Sequence, residues 1–262
     1  MSTSDHSHVD VAFHADRAGT YDRDVAAEYA IYDSLVLDPL LDRIAASTPE
    51  AATLDLGCGT GAVTVRLASR HFRVAALDHS AAMIDVARGK LRDARLDGSV
   101  AFQVGEITAL PYPDASFDLV TCQRVLHHVP QAERVIAEVR RVLRPGGTFY
   151  LSDSVTDTAP AVRVLRGVWH FIARRRSPSE RIDTFLEEHE VQRSAAELVG
   201  LLEAAGLRSR DVIFFSHIGL RDVLPPRLRR LLIRTLSFPG RHRGGELIFI
   251  AATATSGPVT FT

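Results

Sequence analysis

The chain has 262 residues, of which 46% are hydrophobic and 24% charged, a composition that excludes a disordered or fibrous protein and provides for one α/β domain with local elaborations. Its 31 basic and 32 acidic side chains leave a net charge of -1, which argues against nucleic acid or an anionic membrane as a partner, since no global positive field is present. Only Lys90 among the basic residues is a lysine, a bias we attribute to G+C-rich coding and not to function.

In chain order, the amino-terminal "MSTSDHSHVD" is polar and lacks an apolar signal core, and its histidines are too sparse for a metal site. From 22 to 46, apolar residues recur at helical spacing with a break at Pro39, so two helical pieces are expected before the first strand. Five β-rich runs follow, "ATLDLG", "FRVAALD", "VAFQVG", "FDLVTC" and "GTFYLSD", with amphipathic helices at 63 to 70, 80 to 93 and 131 to 143. Strands alternating with helices predict a parallel, doubly wound sheet. After Asp153, "APAVRVLRGVWHFIARRR" reads as a helix with Ala161, Leu165, Val168 and Ile172 on one face and Arg163, Arg166, His170 and Arg174 opposite. A charged connection leads to "SAAELVGLLEAAGL", where Ser194 and Glu197 form a capping box, Leu198, Leu201 and Leu202 make a buried face and Gly206 ends the helix. "SRDVIFFS" and "GELIFIAATA" are the last two strands, and their arrangement leaves room for a final antiparallel strand. The expected fold is therefore α/β, a Rossmann-like, mostly parallel seven-stranded sheet. It divides into a helical lid (1–49), a ligand-binding core (50–155), a helical insertion after the fifth strand (156–193) and the last helices and strands (194–262).

The candidate site begins at "LDLGCGTGA", Leu54 to Ala62. Glycines at the end of a first strand let the backbone approach a ligand without interference from a Cβ, and the next helix start offers free N–H groups. Gly57, Gly59 and Ala62 fit G-x-G-x-x-G/A, and Asp78 lies about 20 residues on, where a ribose-binding acid belongs. Alone, the turn does not separate a nicotinamide enzyme from other proteins that hold a nucleoside ligand. Further along, "VGEITALPYPDASFDLV" puts Glu106 at a strand end beside the backbone of Ile107, an acceptor and an N–H suited to an adenine edge. "TCQRVLHHVP" closes the fourth strand, and in "LRPGG" Pro145 and Gly146 force a turn into the fifth.

With these motifs in this order the chain resembles class I S-adenosylmethionine-dependent methyltransferases, especially the small-molecule branch similar to the ubiquinone and menaquinone C-methyltransferases. The resemblance covers roughly residues 50 to 155 and, more weakly, the final helix and two strands. It implies S-adenosylmethionine as cofactor and S-adenosylhomocysteine as product. Asp55, Gly57 and Gly59 would line the methionine end, Asp78 would bind ribose, Glu106 and Ile107 would flank adenine, and the Cys122 and Gln123 backbone would meet the ammonium group. Cys58, His79, Met83 and Gly105 fall in the same cofactor-binding set, and Tyr21 and Arg17 belong to the lid. Glu106 stands where the family usually has Asp. Structural readings stand beside these: Asp78 as a cap for the helix at 80, Glu106 as a solvated loop acid, the glycines as turn geometry alone.

Methyl transfer from a sulfonium is an in-line displacement that needs little acid–base machinery. For a hydroxyl or carbon acid, His127 or His128 at the fourth strand's end is the best-placed base; alternatively one ring packs and the other caps a helix. His14, Trp169, His170 and His217 are pocket candidates only. No D/N/S-P-P-aromatic motif occurs, Cys58 and Cys122 do not form a C-x-x-C or zinc pattern, and no acidic cluster for magnesium is recognisable, so no metal is expected. The expected acceptor is a small organic metabolite, of specialised metabolism as one reading, with no nucleic acid and no membrane span, in a cytoplasmic monomer or homodimer. The rivals are a protein of the same fold that binds the cofactor without methylating, and an NAD-dependent oxidoreductase. The second lacks a Tyr-x-x-x-Lys pair, since Val86 precedes the only lysine.

Overall fold

A computed structural model describes residues 18–19, 21, 33–156, 191–215 and 247–255. The helix expected at 159–176, the segment around Pro225 and Pro226, and His14, Arg17, Trp169, His170 and His217 lie outside the described residues. Seven strands form one sheet in the order β3-β2-β1-β4-β5-β7-β6: β1 Ala52–Leu56, β2 Arg73–Asp78, β3 Val100–Val104, β4 Phe117–Gln123, β5 Leu143–Ser154, β6 Leu207–Phe215 and β7 Leu247–Ala254. The pairs from β3 to β5 are parallel, and β7 runs antiparallel to both of its neighbours. The expected mostly parallel, seven-stranded sheet with a final antiparallel strand is thus the observed one.

The helices divide between the two faces, as a sheet with crossover connections demands. One face carries α1 Asp38–Ser47, α2 Ala62–Ala68 and α3 Ala81–Asp93, with Leu37, Leu41, Val63, Leu67 and Tyr150 among the residues buried there. The other carries α4 Ala132–Val142 and α5 Ala195–Ala204. Val135, Ile136, Val139 and Val142 make an apolar stripe on α4 at helical spacing, buried against Leu54, Leu56, Val120 and Phe149 of the strands. The Ser194–Glu197 capping box forms as expected, with Leu198 and Leu202 buried and Leu201 half-buried at the edge of the same cluster.

Two boundaries differ from the sequence expectation. Pro39 falls in the first turn of α1, where its missing N–H costs nothing, and a single π-helical turn, Asp33–Leu37, precedes it. Pro145 and Gly146 do not precede the fifth strand but lie within it: β5 pairs with β4 at Leu143↔Phe117, then again at Thr148↔Leu119, and the intervening residues bulge. A proline has no ladder donor to give, so the strand absorbs it as a bulge and resumes pairing.

Helix α2 begins at Gly61, whose φ of +82° is left-handed and whose added Cβ would stand 2.8 Å from Ala87 Cβ on α3. This glycine therefore sets how closely α2 and α3 pack. Gly61→Ala is expected to destabilise the protein by about 1 to 3 kcal/mol through strain and overpacking. Ala87→Gly added to it should recover part of that loss, as read by urea unfolding.

Candidate active site

The carboxyl ends of β1 and β4 are adjacent and parallel, while the chain leaves β1 toward β2 and enters β4 from β3. That reversal of strand order opens a crevice beyond the strand ends, the place where open α/β sheets bind ligands. The glycine turn lies at its floor. Gly57 and Cys58 donate their backbone N–H groups to Leu77 O at 2.8 and 3.1 Å, which ties the turn to the end of β2. Gly57 has φ +63°, and a Cβ on it would stand 2.3 Å from Val125 Cγ2. Only a glycine permits the segment after β4 to rest against the turn in this way.

Asp78, 6% exposed, closes β2. Its Oδ2 accepts from Gly59 N at 2.7 Å and its Oδ1 from Ser80 N at 2.9 Å. The helix cap is Ser80, whose hydroxyl accepts from Met83 N, so Asp78 belongs to the glycine turn and not to the α3 cap. His79 Nδ1 stands 3.9 Å from the same carboxylate, and Met83 is buried beneath Gly59. At the next strand end Gly105 N donates to Asp78 O; Glu106 is exposed and Ile107 buried. Glu138 and Arg141 hold the loop that follows: Leu110 N donates to Glu138, and Arg141 donates to the carbonyls of Leu110 and Tyr112. That pairing keeps the Glu138 carboxyl below its ordinary range.

Under the turn, Asp55 is 2% exposed and accepts from Thr64 at 2.6 Å and Thr121 at 2.8 Å. Burial pushes its carboxyl up to about 6, against the two threonine hydrogen bonds and with the aid of the nearby Asp78 and Asp33 charges. Both cysteine side chains are buried, Cys58 with Ala76 and Ile84 and Cys122 in the core facing α4, and burial raises both thiols. Gln123 extends from the end of β4 and donates to Asp33 at 2.5 Å. Asp33, raised chiefly by its own burial, also faces Arg66 at 3.5 Å. Arg124 follows with φ +57°, in the left-handed region that L side chains seldom adopt, and its guanidinium lies over the Tyr21 ring at 5.8 Å. Tyr21 therefore meets the β4 end of the crevice.

Immediately after Val125, a short 3-10 turn, Leu126–His128, presents the histidines. His127 is 8% exposed; its Nδ1 pairs with Asp153 Oδ1 at 2.5 Å and its backbone N donates to Asp153 Oδ2 at 3.1 Å. Asp153, 1% exposed, sits near the end of β5. The half-buried His128 ring lies 4.0 Å from that of His127. The sequence reading found both histidines but missed Asp153, although a charged residue ending an apolar parallel strand is a usable signal. It also missed Asp33, Thr64 and Thr121, whose partners are distant in the chain. Among the described residues no group of three or more His, Cys, Asp or Glu side chains is arranged to hold a metal, and no helix is long and apolar enough to cross a membrane.

A doubly wound sheet with a glycine turn at β1 and an acid at the end of β2 defines a Rossmann-like protein built to hold a nucleoside ligand. More narrowly, residues 54–151 match the family of methyltransferase domains. The chain is 38% identical over 126 residues to the 27-O-demethylrifamycin SV methyltransferase of Amycolatopsis mediterranei, covering 47% of this chain and 46% of that protein. It is 36% identical over 127 residues to the ubiquinone/menaquinone biosynthesis C-methyltransferase UbiE of Acidiphilium cryptum, covering 48% and 51%. The chain thus spans about half the length of these curated relatives. In fold it is similar to geranyl diphosphate C-methyltransferase from Streptomyces coelicolor A3(2), solved with Mg2+, geranyl diphosphate and S-adenosyl-L-homocysteine, with a TM-score of 0.60 and 20% identity over 90% of this chain and 84% of that one.

Asp55 supplies a pH test. Its folded-state value of about 6 exceeds its ordinary 3.8, so the folded protein holds this proton more tightly than the unfolded chain, and stability falls as pH rises between the two. The fall is roughly 3 kcal/mol when complete. Asp55→Asn removes it: the stability of the variant relative to the parent should rise from pH 4 to pH 7 in urea titrations. Parallel stability profiles would show that Asp55 ionises without cost.

Proposed function

We propose that the protein transfers a methyl group from S-adenosylmethionine to a small organic metabolite, leaving S-adenosylhomocysteine, and that His127 takes the acceptor's proton. The observation that carries this reading is the buried His127–Asp153 pair held two residues from Val125, which rests on Gly57 of the ligand turn.

The residues fit the nucleoside ligand. Gly59 has φ +51° and open space where a side chain would stand, its nearest neighbour being Met83 Cε at 3.9 Å from an added Cβ. Asp78 has two amide hydrogen bonds, and a carboxylate has about four lone-pair positions, so two remain for ribose hydroxyls. Gly57, Cys58 and Asp55 belong to the methionine end, Gly105, Glu106 and Ile107 to the adenine end, with His79 and Met83 between. The Cys122 and Gln123 backbone and Tyr21 complete the set. When bound, S-adenosylmethionine supplies an electrophilic methyl group on a sulfonium.

The chain's own contribution is to hold the acceptor in line and to manage one proton. A carboxylate only accepts, so Asp153 fixes the proton of His127 on Nδ1 and leaves Nε2 as the base. The same carboxylate then stabilises the imidazolium formed when Nε2 takes the acceptor's proton. His128, its ring tilted by 45° against the first and less buried, is the second candidate for contact with the acceptor. The names of the rifamycin and quinone methyltransferases support a small, partly apolar acceptor.

In calorimetry, S-adenosylhomocysteine should bind and NADH should not; binding of NADH alone would overturn the reading. Asp78→Ala should weaken S-adenosylhomocysteine binding by about 1.5 to 3 kcal/mol. Once an acceptor screen has yielded a substrate, His127→Ala should lower kcat by about 10² to 10⁴-fold with cofactor affinity intact. Asp153→Asn should lower kcat in the same direction by disturbing the tautomer, whereas an unchanged kcat in both variants would remove His127 as the base.

A further inference from the structure

We infer that Arg193 is a positioning residue for the base, its guanidinium holding the turn that carries His127 and His128; this rests on the reading of His127 given above. Arg193 Nη1 donates to Leu126 O at 2.8 Å, and Nη2 donates to Val129 O at 2.8 Å and to Pro130 O at 3.1 Å. Val191 N donates to His127 O at 2.7 Å, and Thr156 N donates to Arg193 O at 3.0 Å. Four successive or near-successive carbonyls of the histidine turn are thus held by residues 191 and 193.

A turn of this length satisfies few of its own backbone groups, so its carbonyls need outside donors. A planar guanidinium with five N–H groups can reach three of them at once, which a lysine ammonium cannot do in fixed geometry. The location of Arg193 points the same way. It directly precedes Ser194, the N-cap of α5, the end of a helix where a cation is electrostatically unfavourable. Its charge bears on Glu197 in the first turn of α5, but its hydrogen bonds all go to the histidine turn among the described residues.

The consequence falls on His127. Its backbone N and its Nδ1 both engage Asp153, and Asp153 is fixed within β5 by pairing with Ile248 of β7. The turn must keep one position against β5 for both contacts to hold, and Arg193 holds it there by its carbonyls. Releasing the turn frees the imidazole to leave the carboxylate and lose its preference for the Nδ1–H tautomer.

The test uses the full chain labelled with 15N-histidine, and long-range 1H–15N spectra recorded well above the titration of free imidazole, about 6.5. The parent should show His127 in the Nδ1–H tautomer alone. R193A should lose that single tautomer, and guanidinium chloride at a non-denaturing concentration should restore it. R193K, which keeps the charge without the fork, should retain the fold and also lose the single tautomer; if R193A does not fold, R193K decides. A residue of structural importance only would lower Tm in both variants and leave the tautomer untouched, and that result overturns the inference. Loss of the base assignment is seen separately, as unchanged turnover in His127→Ala, and leaves the tautomer result standing.

Discussion

The close approach of Val125 to Gly57 is the constraint on which the site depends. A β-carbon on residue 57 would stand 2.3 Å from Val125 Cγ2, so with any other residue there the segment after β4 would have to move away from the turn after β1. These two strands are neighbours in the sheet but are separated in sequence by β2, α2, α3 and β3. Contact between their following loops therefore joins the glycine turn to the turn that carries His127 and His128. Everything with chemical character lies within reach of this contact: Asp78 through Gly59 on one side, His127 and Asp153 on the other.

Around that contact, buried polar groups are paired with notable economy of charge. Asp55 takes hydroxyl donors from α2 and β4, Asp78 takes two amides, and Asp153 takes an imidazole together with the backbone N–H groups of His127 and Ser154. Among the described residues none of the three has an arginine as a hydrogen-bond partner. Arginines serve loop carbonyls, as Arg141 and Arg193 do, and other carboxylates, as Arg66 does for the buried Asp33 and Arg66 and Arg70 do for the partly exposed Asp38. Neutral donors hold the acids in shape without cancelling their charge, which leaves a negative field along the crevice; a sulfonium and an ammonium group are cations of the kind such a field favours.

Much of this architecture was legible because it is local. Buried parallel strands read as apolar runs, α4 shows its stripe at helical spacing, and the Ser194–Glu197 box needs only adjacent residues. The glycine turn and Asp78 were legible for the same reason, each being tied to a strand end. Asp153 was not, because its partner is 26 residues away and nothing near it in the chain demands a histidine. Asp33 reaches Gln123 across 90 residues and Arg193 reaches Leu126 across 67; such pairs exist only once the sheet has been ordered. Pro145 and Gly146 were misread because a turn and a strand bulge require the same residues, and only pairing with β4 decides between them.

The position of β7 bears on how this molecule is made. It lies between β5 and β6 although it follows both in the chain, so β6 has no place in the sheet until β7 has arrived. During synthesis β5 is an open edge from the time it emerges until residues 247 to 254 pair with it. Long-range pairing of this kind is slow, and an unpaired edge invites association with other chains. Because Asp153 pairs with Ile248 in that same step, the strand that completes the sheet also secures the partner of His127: a nascent chain halted before residue 247 would hold the glycine turn without a firmly seated His127–Asp153 pair.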